Sequence, residues 1–192
     1  MPIEIEAKMR LDDRDALVAR LRAAGATHAA DLAEVNTFYD HPDGSFARSD
    51  RALRLRTETS SPGTPEASTR VILAHKGPRA PGPLKSREEY ELVVADAQDA
   101  DGLLRALGFR PSFTFEKRRT RYKLDGCLID LDELPRLGHF VEIEGPSEAQ
   151  VFAARDKLGL ADTPLVVASY IGLLHEHQRM SGEIAKAVRF ES

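Results

Sequence analysis

Glu4, Glu6 and Lys8 alternate with Ile3, Ile5 and Ala7 at the start of the chain. Successive side chains of a strand point to opposite faces, so here two carboxylates and an ammonium share one side, with apolar residues behind. The pattern returns downstream. Arg54 and Arg56 stand opposite Leu53 and Leu55, and Lys76 stands opposite Val71, Leu73 and His75. Arg87, Glu89 and Glu91 share a face, with Tyr90 and Leu92 on the other. Lys117, Arg119, Arg121 and Lys123 share another. Asp130 and Asp132 oppose Ile129 and Leu131, and Glu142 and Glu144 oppose Val141 and Ile143.

The chemistry divides by sign. Glu4, Glu6, Asp132 and Glu142 are hard oxygen donors of the kind that hold Mg²⁺ or Mn²⁺, with substrate phosphates completing the shell. Lys8, Arg54, Arg56, Lys76, Arg87, Lys117 and Arg119 suit phosphate oxygens, arginine as a bidentate fork and lysine as a movable point charge. Glu89, Asp130 and Glu144 are further acidic candidates on the same faces. Together these groups fit phosphoryl or nucleotidyl transfer, in which catalysis is mainly positioning and charge stabilisation.

Two architectures could carry such strands. One is an open sheet with a solvated face and scattered salt bridges, common among antiparallel sheets. The other is a closed barrel with apolar faces turned out against helices and charged faces lining a wet tunnel. Repetition across seven strands favours the barrel, because both signs recur at strand positions where threonine would serve. Buried charges cost several kcal/mol each unless paired or ligated. A polyanion with divalent cations supplies that pairing.

The elements that must position these residues follow from turn and cap signals. Strands are expected at about 2–10, 36–40, 51–58, 69–76, 86–94, 112–124, 127–134 and 139–144, and helices at about 12–24, 97–107, 147–158 and 168–178. Gly25 stops the first helix, and Asp125-Gly126 signals a two-residue hairpin. Residues 60–68 (SSPGTPEAS) and 77–83 (GPRAPGP) read as loops. Connections are mostly short or hairpin-like, so the sheet should be antiparallel, and eight such strands can close around one small ligand. The fold class is therefore α+β, an eight-stranded antiparallel β-barrel lined by charge and flanked by helices, spanning 1–178 as one domain with a tail at 179–192.

Composition narrows the partners. The chain has 192 residues, 30% charged and 42% hydrophobic, with a net charge of −4. That balance excludes the global basic field of a nucleic-acid binder. The single cysteine, Cys127, forms no internal disulfide and fits a reducing compartment. There is no membrane-length apolar run and no signal-peptide character, so a cytoplasmic protein is expected, with a homodimer as one open assembly.

With these residues in place, the chain resembles the CYTH superfamily, or triphosphate tunnel metalloenzymes. Glu4-x-Glu6-x-Lys8 matches the superfamily signature near the N-terminus. Arg54-x-Arg56, His75-Lys76-Gly77, Arg87-x-Glu89, Lys117-x-Arg119, and Asp132 followed by Leu137–Glu144 resemble its later motifs in order. The stretches Gly108–Lys117 and Ser169–Leu174 are similar to the bacterial class IV adenylate cyclase branch. His139 departs from the pattern where an acidic residue is frequent, and the loop at 60–68 looks longer than usual.

The resemblance implies a tunnel open at both ends, with metal on Glu4, Glu6 and Glu142 and Asp132 close by. It also implies triphosphate on Lys8, Arg56, Lys76, Lys117 and Arg119. Lys8, Lys76 and Arg119 are the expected catalytic members. The substrate would be ATP, cyclised to cyclic AMP and pyrophosphate, or a triphosphate hydrolysed by water. A non-catalytic polyphosphate or nucleotide sensor is the third reading, and the full acidic set argues against it. Tyr39 is either a core residue or a partner to a lysine near an attacking water. His175-Glu176-His177 lacks the spacing of a helical zinc motif.

Overall fold

The computed structural model describes residues 3–191. Its chain order is β1 (Ile3–Arg10), α1 (Arg14–Ala23), β2 (Thr27–Asp40), α2 (Ser45–Arg48), β3 (Ala52–Ser60), β4 (Ser68–Lys76) and β5 (Lys85–Val94). There follow α3 (Ala97–Ala106), β6 (Arg110–Leu124), β7 (Cys127–Leu134), β8 (Gly138–Glu144), α4 (Glu148–Lys157), α5 (Tyr170–Ser181) and β9 (Ala187–Val188).

Eight strands close into a barrel. Around the ring they run β1-β8-β7-β6-β2-β3-β4-β5 and return to β1, and every neighbouring pair is antiparallel. Register sets opposite residues on one face, so the pairs Glu4↔Arg87, Glu6↔Lys85, Lys8↔Glu142, Asn36↔Arg56 and Arg119↔Asp132 put the charged positions of every strand inside. The open-sheet alternative is thereby excluded.

The apolar parity points outward and is covered. Met9, Ile129, Val141 and Ile143 pack under Leu17 and Leu21 of α1 and Val151, Ala154 and Leu158 of α4. Leu53, Leu55 and Val71 pack under Ala100 and Leu104 of α3. Helix starts are set by side-chain caps of the kind that satisfy orphan N–H groups: Asp13 accepts from the Ala16 N–H, Asp96 from Gln98 and Asp99, Ser147 from Gln150, and Ser169 from Gly172. A third core is internal to the barrel. Phe113, Phe115 and Phe140 meet Tyr170, Leu173 and Leu174 of α5, so this helix fills part of one mouth.

Four elements differ from expectation. Strand β2 begins at Thr27, nine residues before the short segment read from sequence. Its first half, THAADLAEV, has little intrinsic strand preference, and pairing with both β6 and β3 holds it in the sheet. Helix α2 is a single extra turn after His41–Gly44. In the stretch read as a tail, β9 pairs in parallel with Thr114 and Phe115, and the Phe190 N–H donates to Glu116 at 3.0 Å. Finally, α5 runs on to Ser181, where Gly182 in the left-handed region ends it.

The Asp125-Gly126 hairpin forms as expected, with φ of 50° and 82°, both positive as a type I′ turn requires. Gly126→Ala should therefore lower stability by about 1 kcal/mol, since an L side chain resists this backbone region. Urea denaturation checks this, and an unchanged midpoint would contradict it.

Candidate active site

The barrel encloses a cavity of about 510 Å³, inside the ~300–1,000 Å³ range of small-molecule sites. Glu4, Glu6, Lys8, Arg54, Arg56, Lys76, Arg87, Glu89, Lys117, Arg119, Glu142 and Glu144 all line it. One interior therefore gathers these expected residues from six strands, as alternation in each strand requires.

Inside, most of the carboxylates face a cation. Lys76 donates to Glu4 and to Glu89, both at 2.8 Å, and Arg87 reaches Glu4 at 3.4 Å. The Lys8 ammonium lies 3.2 Å from Glu142 and 3.6 Å from Glu6, and 4.0 Å over the Tyr170 ring. Arg119 is the most heavily engaged group. It holds Asp132 through two nitrogens at 2.6 Å, Glu142 at 2.5 Å and Asp130 at 2.5 Å. Burial disfavours its charge, but Asp132 and Asp130 outweigh this and hold the guanidinium well above its ordinary pKa. Burial likewise opposes the Glu142 charge, and Lys8, Arg119 and Lys117 more than compensate, so this carboxyl stays well below its usual range.

Two of the expected residues, Asp132 and Asp130, are absent from the cavity wall, and a third, Tyr39, borders the cavity with its hydroxyl directed elsewhere. Asp132 is only 1% exposed and lies behind the wall, accepting from Arg119, from Lys117 at 3.3 Å and from the Tyr170 hydroxyl at 2.9 Å. Its oxygens are taken up by these groups. Asp130 is also buried, gripped by Arg119 and by Arg121 at 2.7 and 2.8 Å. Tyr39 has its hydroxyl turned out of the barrel, donating to Asp101 on α3 at 2.6 Å, with its ring in the outer core. Of its two readings, this placement favours the core one. At the end of β6, Lys123 is exposed and leaves the tunnel face.

Four site residues escaped the sequence reading. Glu34 is 2% exposed, with Lys117 at 3.3 Å and Arg56 and Arg119 at 3.9 Å. Burial pushes its carboxyl up, but Lys117, Arg119 and Arg56 hold it far below the usual range, so it anchors the cations of β3 and β6. Asn36 donates to Glu34 at 3.1 Å. Lys85 faces Glu6, and Tyr170 enters from α5. Glu34 lay in the half of β2 that had no strand signal, whereas Asn36 opened the recognised segment but carries no charge to single it out. Lys85 shares parity with Arg87 and was lost by starting β5 one residue late.

Whether these groups suit a divalent cation is a question of donors. Among the described residues no three acidic or imidazole side chains already converge on one point, because ammonium and guanidinium groups hold them apart. The carboxylates nonetheless crowd one stretch of wall. Burial, and then the charges of Glu4, Glu6 and Glu89, push Glu144 up to about 7. The donors there are all carboxylate oxygens, which fit Mg²⁺ or Mn²⁺.

The crowding predicts a pH dependence. Glu144 binds its proton more tightly folded than unfolded, so in the metal-free protein its contribution to stability is full below about 4.5 and is lost as pH rises to about 7. Glu144→Gln should remove that loss, gaining stability over wild type progressively between pH 5 and pH 8. Urea midpoints across that range test this. A gap that stays constant with pH would refute it.

Comparison with known proteins settles the family. A CYTH domain profile matches residues 2–170. The chain belongs to the CYTH family. Adenylate cyclase CyaB of Aeromonas hydrophila is 29% identical over 191 residues, covering 94% of this chain and 93% of that one. Among solved structures, PH1819 of Pyrococcus horikoshii superposes with a TM-score of 0.77 at 27% identity, covering 90% of this chain and 98% of its own. HpAC1 of Hippeastrum, described as a "putative adenylyl cyclase" with "a dominant triphophatase activity", has a TM-score of 0.66 at 21% identity, covering 95% and 97%. No helix among the described residues is long and apolar enough to cross a membrane.

Proposed function

We propose that this CYTH tunnel binds a triphosphate together with Mg²⁺ or Mn²⁺ and acts as an adenylate cyclase, converting ATP to cyclic AMP and pyrophosphate. The observation that carries the binding step is the paired network itself. Glu4, Glu6, Glu89 and Glu142 each hold a Lys or Arg while Glu144 has no cationic partner among the described residues, and a metal–triphosphate brings a matching partner for each half. On binding, cations exchange carboxylate for phosphate and carboxylates exchange ammonium for metal, so no buried charge is left alone.

Glu4, Glu6, Glu142 and Glu144 would hold the metal, which when bound supplies charge neutralisation on the phosphates. Lys8, Lys76, Arg87, Lys117 and Arg119 would orient the phosphate chain, with Arg54 and Arg56 extending the cationic wall. Asp132 and Glu34, behind that wall, keep Lys117 and Arg119 in place.

The cyclase reading draws on the similarity to CyaB over nearly the whole chain. A triphosphatase is the second reading, supported by the activity described for HpAC1. The water-positioning role considered for Tyr39 is not available to it, since that hydroxyl is engaged by Asp101. The test is product identity by chromatography after incubation with ATP or tripolyphosphate and Mn²⁺. Cyclic AMP with pyrophosphate is expected. ADP with orthophosphate, or much faster turnover of tripolyphosphate, assigns the triphosphatase, and binding without either product assigns a sensor.

A further inference from the structure

Lys85 is the one lysine among the described residues lining the cavity that the reading above gives no task. It opens β5, and register places it directly across from Glu6. Its ammonium lies 3.1 and 3.2 Å from the two oxygens of that carboxylate, and its side chain is only 10% exposed. Among the described residues it makes no other side-chain hydrogen bond. The remaining tunnel lysines are shared differently. Lys76 bridges Glu4 and Glu89, Lys8 spans Glu142, Glu6 and the Ala168 carbonyl, and Lys117 joins Glu34 and Asp132. Only Lys85 puts its whole charge on both oxygens of a single carboxylate, the position a bound cation would take there.

Its surroundings make that hold replaceable. Glu4 and Glu144 press on the same stretch of wall, so Glu6 needs a positive partner whether or not metal is present. An ammonium offers one charge on a flexible stem, and a divalent cation offers two at shorter range. Burial lowers the Lys85 pKa and the Glu6 charge opposes this, so a Lys85 that left Glu6 would need another anion. A triphosphate in the same cavity is such an anion.

We propose that Lys85 is an internal competitor for the divalent cation, occupying Glu6 in the metal-free tunnel and transferring to the phosphate chain when metal binds. The proposal rests on the metal–triphosphate reading. It adds that metal and triphosphate each favour the other's binding partly through this one side chain, a coupling that must be reciprocal.

The test measures binding rather than turnover. Mn²⁺ affinity is read from the electron paramagnetic resonance signal of free Mn²⁺, and tripolyphosphate affinity by calorimetry, for wild type, Lys85→Gln and Lys85→Met. Lys123→Gln removes the same charge at the surface and serves as the control. Without triphosphate, both Lys85 variants should bind Mn²⁺ about tenfold more tightly than wild type, and both should bind tripolyphosphate more weakly. Their melting temperature should also rise more steeply with Mn²⁺ than wild type's, which keeps the test open if the metal-free variants are too unstable to titrate. Unchanged or weaker Mn²⁺ binding, or a gain no larger than that of Lys123→Gln, overturns the competitor role. Unchanged tripolyphosphate binding overturns the transfer to phosphate. If wild type binds neither Mn²⁺ nor tripolyphosphate, the underlying reading fails, whereas normal wild-type binding with unaltered variants sinks the Lys85 proposal alone.

Discussion

Arg119→Ala is expected to be the most damaging single substitution in the tunnel, and to act on stability and turnover together. The guanidinium is the shared counter-ion of Asp132, Asp130 and Glu142, at 2.5–2.6 Å. Removing it leaves carboxylates facing one another in a buried site, with Lys117, Lys8 and Arg121 as the cations still in contact. Breaking a buried ion pair from one side costs about 3–5 kcal/mol, and several acidic partners place this site at the upper end of that range. Turnover should fall by about 2–4 kcal/mol of transition-state stabilisation beyond any loss of folded protein, as for the loss of one preorganised donor.

Arg119→Lys should restore part of the stability and less of the turnover. A single ammonium can neutralise charge but cannot reach Asp132, Asp130 and Glu142 at once with the fork geometry. Arg110 at the start of β6 is the control, since it donates only to the Arg105 and Phe109 carbonyls at the surface. Urea denaturation and steady-state kinetics on the three variants decide the matter. Equal, small effects of Arg119→Ala and Arg110→Ala would contradict the role given to the buried network.

The contrast between these two arginines shows how much the sequence discloses. Both are basic residues of β6, and alternation alone separates them, because Arg119 shares parity with Lys117 and Arg121 while Arg110 lies before that run. Alternation worked wherever a strand had strong apolar partners, as with Leu53 and Leu55 beside Arg54 and Arg56, or Val141 and Ile143 beside Glu142 and Glu144. It failed where the strand itself was not visible. Glu34 sits between Ala33 and Val35 in a segment that becomes β2 only by pairing on both sides, a long-range effect that local preference does not contain.

Depth was also hidden. Parity says that Asp132 faces inward, but not that Lys117, Arg119 and the Tyr170 hydroxyl would close over it. That covering needs α5, brought in from almost forty residues downstream by the packing of Tyr170, Leu173 and Leu174 on Phe113, Phe115 and Phe140. Tyr39 shows the converse. It alternates with the inward Asn36 and Phe38 and pairs with the outward Leu53, so its ring faces α3, a parity that the short segment read from sequence left undecided.

Glu6→Gln should abolish metal-dependent turnover while keeping the barrel folded. The amide has the shape of the carboxylate, so packing is preserved, but a hard anionic donor is lost from the set of Glu4, Glu6, Glu142 and Glu144. Two opposing effects set the stability of this variant without metal. Lys85 loses its carboxylate partner, which destabilises, and Glu4 and Glu144 lose a like-charged neighbour, which stabilises. These offset one another, so the urea midpoint should move far less than for Arg119→Ala. The Mn²⁺-dependent rise in melting temperature should disappear, since it depends on metal binding the folded state alone. Turnover of ATP or tripolyphosphate should fall at least a hundredfold at ordinary Mg²⁺, about 2.7 kcal/mol or more of transition-state stabilisation. Turnover like that of wild type, with the Mn²⁺ thermal shift intact, would show that the metal binds elsewhere in the tunnel, and would move the acidic site from Glu4, Glu6 and Glu144 towards Glu89 and Glu91 on the opposite side of Lys76.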